Sequence, residues 1–249
     1  VVIGGWLPDL LKNDQKLKKK VAKLDGIYAE TQLMADQLGR MGLSNVRLFT
    51  NFKRLPVVDP EEFVYPAKEP YQLCTFSTVI YEKGIEDAIE AVKAVNEADG
   101  EIRYTLDIYG PVAAVYGERF EQIRKTFPDY ISYKEAVGSN ESVGILKNYF
   151  ALLFPTRNKT EGVPGTIIDA YAASLPVIAS RWNSAEEVVI HNQTGFVYEF
   201  MNNKTLVEIL RSILEDPQTV LKMKPNCIEM ARKFAPEQTI INFTGYLES

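Results

Sequence analysis

The sequence predicts an α/β fold built on parallel strands, and two observations carry that expectation. Short apolar runs of strand length alternate with longer segments whose apolar residues recur at helical spacing, and the alternation appears both in residues 71–110 and in residues 151–174. In each case a polar, glycine-bearing loop joins the strand to the helix that follows. The first fifty residues carry a weaker version of the same pattern.

The elements follow in chain order. VVIGGWLP opens on an apolar strand, after which the reading is helix from about Asn13 to Leu24, strand Gly26 to Ala29, helix Gln32 to Met41 and strand Val46 to Phe49. NFKRLPVVDPEEF, polar and proline-bearing, reads as a linker, so residues 1–55 are expected to be the end of one domain and residues 56–236 a second. In that second domain Leu73 to Phe76 reads as strand and Glu82-Lys83-Gly84 opens a helix, on which Ile85, Ile89 and Val92 share one apolar face. YTLDIYG returns as a strand ending at Gly110. Ala151 to Thr156, ALLFPT, is a buried strand, IIDAYAAS is a helix, and a Pro-Val strand follows Ser174. A last helix is expected from about Pro236 to Leu247, within a C-terminal segment of residues 237–249.

The most informative stretch is Glu161-Gly-Val-Pro-Gly-Thr-Ile-Ile-Asp169, which puts two carboxylates around a glycine-bearing turn leading into a helix. Amides at a helix start lack intrahelical acceptors and sit at the positive end of the helix dipole, so they suit a diphosphate. Gly162, Pro164 and Gly165 mark the turn, and Gly165 would let a phosphate approach the backbone closely. Glu161 can accept hydrogen bonds from sugar hydroxyls, and Asp169, one turn inside the helix, from ribose hydroxyls. A plainer reading is a capping box, with Thr166 as N-cap and Asp169 reaching back to its amide. It leaves Glu161 and the loop glycines without a purpose. Lys83 sits in the other strand-to-helix loop, and in an open parallel sheet ligands collect beyond the carboxyl ends of the strands, where one phosphate can meet both loops.

At these motifs the chain resembles the retaining group 1 glycosyltransferases, of the sucrose-synthase-like and capsule or lipopolysaccharide types. The resemblance rests on YEKGIEDAIEAV, LDIYGP, FALLFPT, EGVPGTIIDAYAASLPVIAS and AEEVVIHNQTGFVY, and covers nearly the whole chain. It implies the GT-B architecture: a Rossmann-like donor domain facing a second Rossmann-like domain, here only a remnant, with the C-terminal helix returning to the first. The implied activity is transfer of a hexosyl group from a nucleotide-diphosphate sugar to a glycan or lipid-linked acceptor with retained configuration, without a firm protein nucleophile. By the same resemblance Lys83 and the amides near Gly165 and Thr166 stabilise the leaving diphosphate, Glu161 orients the sugar, and Thr78, Gly110, Gly162 and Asp169 complete the donor site. The family signature is Glu, seven residues, Glu; Asp169 replaces the second Glu and shortens its reach by one methylene. The family's usual Gly-Arg is Ser77-Thr78 here, and a hydroxyl cannot make a guanidinium's bidentate contact with phosphate, which leaves Lys83 as the expected cation. Ser174 stands where a glycine is common, at a local conformational cost. Because acceptor binding in this architecture belongs mostly to the first domain, residues 1–249 alone are expected to bind donor but transfer little.

Composition narrows the remaining classes. A net charge of −5 argues against general nucleic-acid affinity. No apolar run reaches eighteen residues, which argues against a spanning helix, and two distant cysteines fit reduced, cytoplasmic thiols. With one histidine, His191, and no Asp-x-Asp pair, neither a metal site nor a catalytic triad is expected, and the donor site is read as metal-independent with no cofactor. His191 reads as a turn residue before Asn192 and Gly195. KNDQKLKKKVAK, Lys12 to Lys23, sets lysines beside Leu17, Val21 and Leu24; it is either a solvated helix face packed on the first domain or a peripheral contact with an anionic membrane. Trp6 can fill core or line an interdomain cleft. Two further readings stay open: a silent nucleotide-sugar-binding module, suggested by the missing arginine at position 78, and a nucleotide-sugar epimerase, which usually gathers more acid-base side chains than one histidine allows.

Overall fold

A computed structural model describes residues 2–3, 6–59, 68–138 and 140–240. Two parallel sheets stand in sequence. The first contains β1 (Val2–Ile3), β2 (Ile27–Ala29) and β3 (Val46–Leu48), paired in that order. Helices α1 (Leu7–Asn13), α2 (Gln15–Val21) and α3 (Gln32–Arg40) connect them, and Trp6, Leu11, Ile27, Met34 and Leu38 form their common core. The single helix expected from Asn13 to Leu24 is therefore corrected to two. Asp14 separates them in an extended conformation, its carboxylate accepting the Leu17 amide at 2.8 Å, so the side chain that begins α2 also interrupts the ladder of α1. Leu17 and Val21 pack on the first core while Lys16, Lys19, Lys20 and Lys23 face solvent.

The second sheet is wholly parallel and has six strands: β4 (Tyr71–Phe76), β5 (Tyr104–Tyr109), β6 (Ile131–Tyr133), β7 (Ala151–Phe154), β8 (Val177–Ser180) and β9 (Gly195–Tyr198). Their spatial order is β6-β5-β4-β7-β8-β9, so the chain starts in the middle, winds one way, then returns to wind the other. This is the doubly wound arrangement, whose switch point lies between β4 and β7. Alternation along β4 sends Tyr71 and Leu73 to one face and Cys74 to the other. One face is covered by α4 (Ile85–Asp99), α5 (Gly117–Arg124) and α9 (Asn203–Glu215). The opposite face carries α6 (Ser142–Leu146), α7 (Gly165–Ala172), α8 (Ala185–Val188) and α10 (Gln218–Lys233).

Residues 51–59 have no regular structure and run back along the second unit, Lys53 donating its amide to the Phe234 carbonyl and Val58 to that of Ala172. Residues 60–63 of the expected linker lie outside the described residues, as does the expected last helix beyond residue 240. Residues 236–240 are helical. Among the described residues no helix is long and apolar enough to cross a membrane.

Candidate functional site

The switch point brings the two motif loops together. After β4 the chain makes a 3-10 turn, Tyr81–Lys83, before α4; after β7 it runs through residues 155–164 into α7. Gly84 makes their approach possible. It lies at φ 64°, and a Cβ there would stand 1.9 Å from the Pro155 carbonyl oxygen. Bonds from Arg157 N to the Glu82 carbonyl at 2.8 Å and from Thr156 Oγ1 to the same oxygen at 3.2 Å fasten one loop to the other. Arg157 also forms a two-armed pair with Asp87 on α4, at 2.9 and 2.7 Å, and lies over the exposed Tyr81 ring.

Each carboxylate of the motif meets a lysine. Lys83 Nζ donates to Glu161 Oε1 at 2.5 Å, and the one Thr156 hydroxyl proton is shared between that oxygen, at 3.0 Å, and the Glu82 carbonyl. Glu161 and Lys83, expected on sugar and diphosphate respectively, thus face one another across the switch point. Asp169 is 4% exposed, and Lys53 donates to both of its oxygens, at 2.7 and 2.9 Å. Burial raises the Asp169 carboxyl above the ordinary range, and the neighbouring ammonium lowers it part of the way back. The capping box does not form. Pro164 occupies the N-cap position of α7, Thr166 donates its hydroxyl to the Phe76 carbonyl at 2.7 Å, and Asp169 turns to Lys53 instead.

The other expected residues lie around this pair of loops. Thr78 is exposed in the loop after β4, and the Ser77 hydroxyl donates to its carbonyl at 3.4 Å. Gly110, at φ 130°, ends β5, and a Cβ there would strike the Ser77 carbonyl at 1.9 Å, so its bareness lets the β4 and β5 loops meet. Gly162 is covered by Glu30 and Gly165 by Lys53, whose Cε would be 2.9 Å from a Cβ at that position. Ser174 does adopt φ 57°, and its hydroxyl donates to the Lys224 carbonyl. His191 stands just before the turn at residues 192–194, bridged to Gly195, and its Nδ1 accepts the Val197 amide at 3.1 Å. Among the described residues no group of three or more His, Cys, Asp or Glu side chains is placed to hold a metal ion.

Four contributors to which the sequence reading gave no role also appear. Lys53 is one. Glu30, after β2, accepts the Val163 amide at 3.1 Å, and burial raises its carboxyl, with repulsion from Glu161 adding to the rise. Asn51 donates to the Val163 carbonyl at 2.9 Å. Glu187, on α8, accepts the Gln32 and Leu33 amides at 2.7 and 2.8 Å and so caps α3 from the other unit. A cavity of about 300 Å³ opens between the units, lined by Trp6, Lys12, Leu33, Lys159, Thr160 and Asn183 among others. Trp6 thus does both things open to it, filling the first core and lining the cleft.

The family model of the glycosyl transferases group 1 matches residues 59–234, which contain β4 to β9 and both motif loops. The chain belongs to the group 1 glycosyltransferases. The amylovoran biosynthesis glycosyltransferase AmsK of Erwinia amylovora is 23% identical over 169 residues, 61% of this chain and 39% of that protein. An uncharacterized glycosyltransferase of Haemophilus influenzae is 29% identical over 91 residues, 36% of this chain and 26% of that one. This group 1 chain accordingly spans less than half the length of the curated relatives it matches. Among solved structures, HepE of Anabaena in complex with UDP superposes with a TM-score of 0.82 at 14% identity, over 99% of this chain and 71% of that one. The TarM G117R mutant of S. aureus, in complex with fondaparinux, α-GlcNAc-glycerol and UDP, gives 0.78 at 16% identity, over 100% and 50%. The α/β architecture expected from the sequence is the GT-B fold of these glycosyltransferases.

Proposed function

We propose that this chain carries the donor site of a retaining hexosyltransferase, which moves a hexosyl group from a nucleotide-diphosphate sugar to a glycan or lipid-linked acceptor. The observation that carries the reading is the convergence of Lys83, Glu161 and the first turn of α7 at the sheet's switch point. A diphosphate set against Gly165 and Thr166 meets amides without intrahelical acceptors and the positive end of a helix. When the bond from the sugar's anomeric carbon to the diphosphate breaks, negative charge grows on the leaving oxygen, and these groups are already aimed at it. The acceptor hydroxyl forms the new bond on the same face and gives up its proton to the leaving group. Glu161 accepts hydrogen bonds from sugar hydroxyls, and Asp169 from the ribose. The cleft cavity beside Thr160 gives an acceptor room to approach.

A donor of this kind implies binding of a free nucleoside diphosphate, because the leaving group makes most of the proposed contacts. Thermal shift with UDP, GDP and ADP tests it: a ligand at 100 times its dissociation constant stabilises by about 2.7 kcal/mol. Binding by none of the three would remove the reading. Radiolabelled donor and chromatographic analysis of the sugar product then separate transfer, which releases nucleoside diphosphate, from epimerisation, which leaves the nucleotide sugar intact.

A further inference from the structure

We propose that Lys53, from the irregular segment after the first sheet, is the second cation of the donor site and contacts the nucleotide's phosphates together with Lys83. The inference rests on the donor-site reading and adds a residue to it.

Four observations on the molecule lead there. Lys53 is not simply a surface lysine, because its Nζ is shared between both oxygens of the buried Asp169 at 2.7 and 2.9 Å. The same side chain lies along Gly165, the first residue of α7, and fills the space a side chain would occupy there. Its backbone is fixed too, since the Lys53 amide is bonded to the Phe234 carbonyl at the end of α10, so the lysine is held at the helix start. Finally, the arrangement is paired: Lys83 answers Glu161 and Lys53 answers Asp169, so two ammonium groups from distant segments meet the carboxylates on either side of the α7 start. Arg157, also close, is committed to Asp87 by two bonds.

The charge balance explains why a lysine is needed at this place. A nucleoside diphosphate bound at α7 would bring its phosphates beside Asp169, and an unpaired carboxylate there would repel them. Lys53 neutralises it. An ammonium has three donors on a flexible stem, so it can keep one bond to Asp169 and turn another toward a phosphate oxygen, and its side chain is 35% exposed. When ribose hydroxyls take up the Asp169 oxygens, the lysine is freed further toward the phosphates. The loop after β4 offers hydroxyls at Ser77 and Thr78 and one cation, Lys83, so Lys53 supplies a second charge from the other direction.

The test is titration calorimetry of the wild type, Lys53→Met and Lys53→Arg with whichever of UDP, GDP or ADP the wild type binds, and with the corresponding nucleoside. Lys53→Met is expected to weaken the nucleoside diphosphate about tenfold to a hundredfold while changing the nucleoside by less than about threefold, the loss expected for one charge-assisted contact to phosphate. Lys53→Arg should recover part of the loss. An equal fall for nucleoside and nucleoside diphosphate would mean that Lys53 acts only through Asp169, and would overturn the proposal. So would unchanged affinities with a lower melting temperature, the signature of a mere strap. Should Lys53→Met fail to fold, Lys53→Met with Asp169→Asn removes the stranded buried charge, and the phosphate-selective loss is expected against Asp169→Asn alone. If the wild type binds none of the three diphosphates, the donor-site reading itself has failed; if it binds and Lys53→Met binds equally, only this inference has.

Discussion

Glu161 and Asp169 are separated by seven residues in the chain and by their partners in the fold, and their substitutions should behave differently. Glu161→Gln removes the charge that holds Lys83 while leaving an amide near the sugar. Transfer should fall by at least about tenfold, whereas nucleoside diphosphate affinity should stay within about threefold, because Lys83 is released toward the phosphates. Asp169→Asn should weaken donor and nucleoside diphosphate alike, by about tenfold. Steady-state kinetics alongside calorimetry distinguish the two, and a single shared profile would show the roles to be misassigned. Lys83→Ala, in turn, should cost about tenfold to a hundredfold in nucleoside diphosphate affinity, the range for one charge-assisted hydrogen bond.

At the scale of elements, the site depends on two loops that touch through a glycine. Gly84 begins α4 from the left-handed region with the Pro155 carbonyl where a Cβ would be. Gly84→Ala combines the cost of that conformation with a backbone clash, roughly 2–5 kcal/mol together. Chemical denaturation should show the loss of stability, and the folded fraction should bind nucleoside diphosphate less tightly because Lys83 is displaced with its turn. Equal stability in the variant would mean that the loops have more room than the structure gives them. Capping works across the units as well as within them. Glu187→Ala leaves the first amides of α3 without their carboxylate and should cost about 1 kcal/mol, read as a lower denaturation midpoint, with Glu187→Gln intermediate.

For the whole molecule, Lys224 sets a pH dependence. It is 5% exposed on α10, against the Ser174 and Tyr149 carbonyls at 3.4 and 3.5 Å, and burial pulls its ammonium down from 10.5 to about 8. Between about pH 8 and 10.5 the unfolded chain holds the extra proton, so this group contributes rising stability as pH rises through that window. Below it the penalty for burying the charge persists in full, on the order of 3 kcal/mol less whatever the two carbonyls return. Lys224→Met should therefore gain on the wild type most at pH 7 and lose that advantage by pH 10. Denaturation midpoints of both proteins from pH 7 to 10 check this, and a constant difference would contradict it.

Much of the fold was legible because its signals are local. Apolar spacing in IEDAIEAVKAV and the uninterrupted apolar run of ALLF identify α4 and β7 without any partner in view, and the α/β class follows from their alternation. The placement of Glu161 and Asp169 on either side of a helix start was legible too, since a glycine-bearing turn between a strand and a helix is a local signal. Asp14 shows a limit even at short range: the lysine-rich run reads as one helix until its carboxylate is seen capping the second half. Other decisions were made at long range. That Lys53 meets Asp169 across 116 positions, and Glu187 the start of α3 across 155, leaves no trace in periodicity or spacing. A lysine in a polar, proline-bearing segment looks like any solvated charge. The sequence by itself determined the α/β alternation and the elements that bound the two motif loops, because backbone geometry and burial periodicity act between near neighbours. Only the tertiary structure decided which cation answers each carboxylate, because electrostatic partners are chosen by distance in space, and that distance is fixed by how the sheet winds.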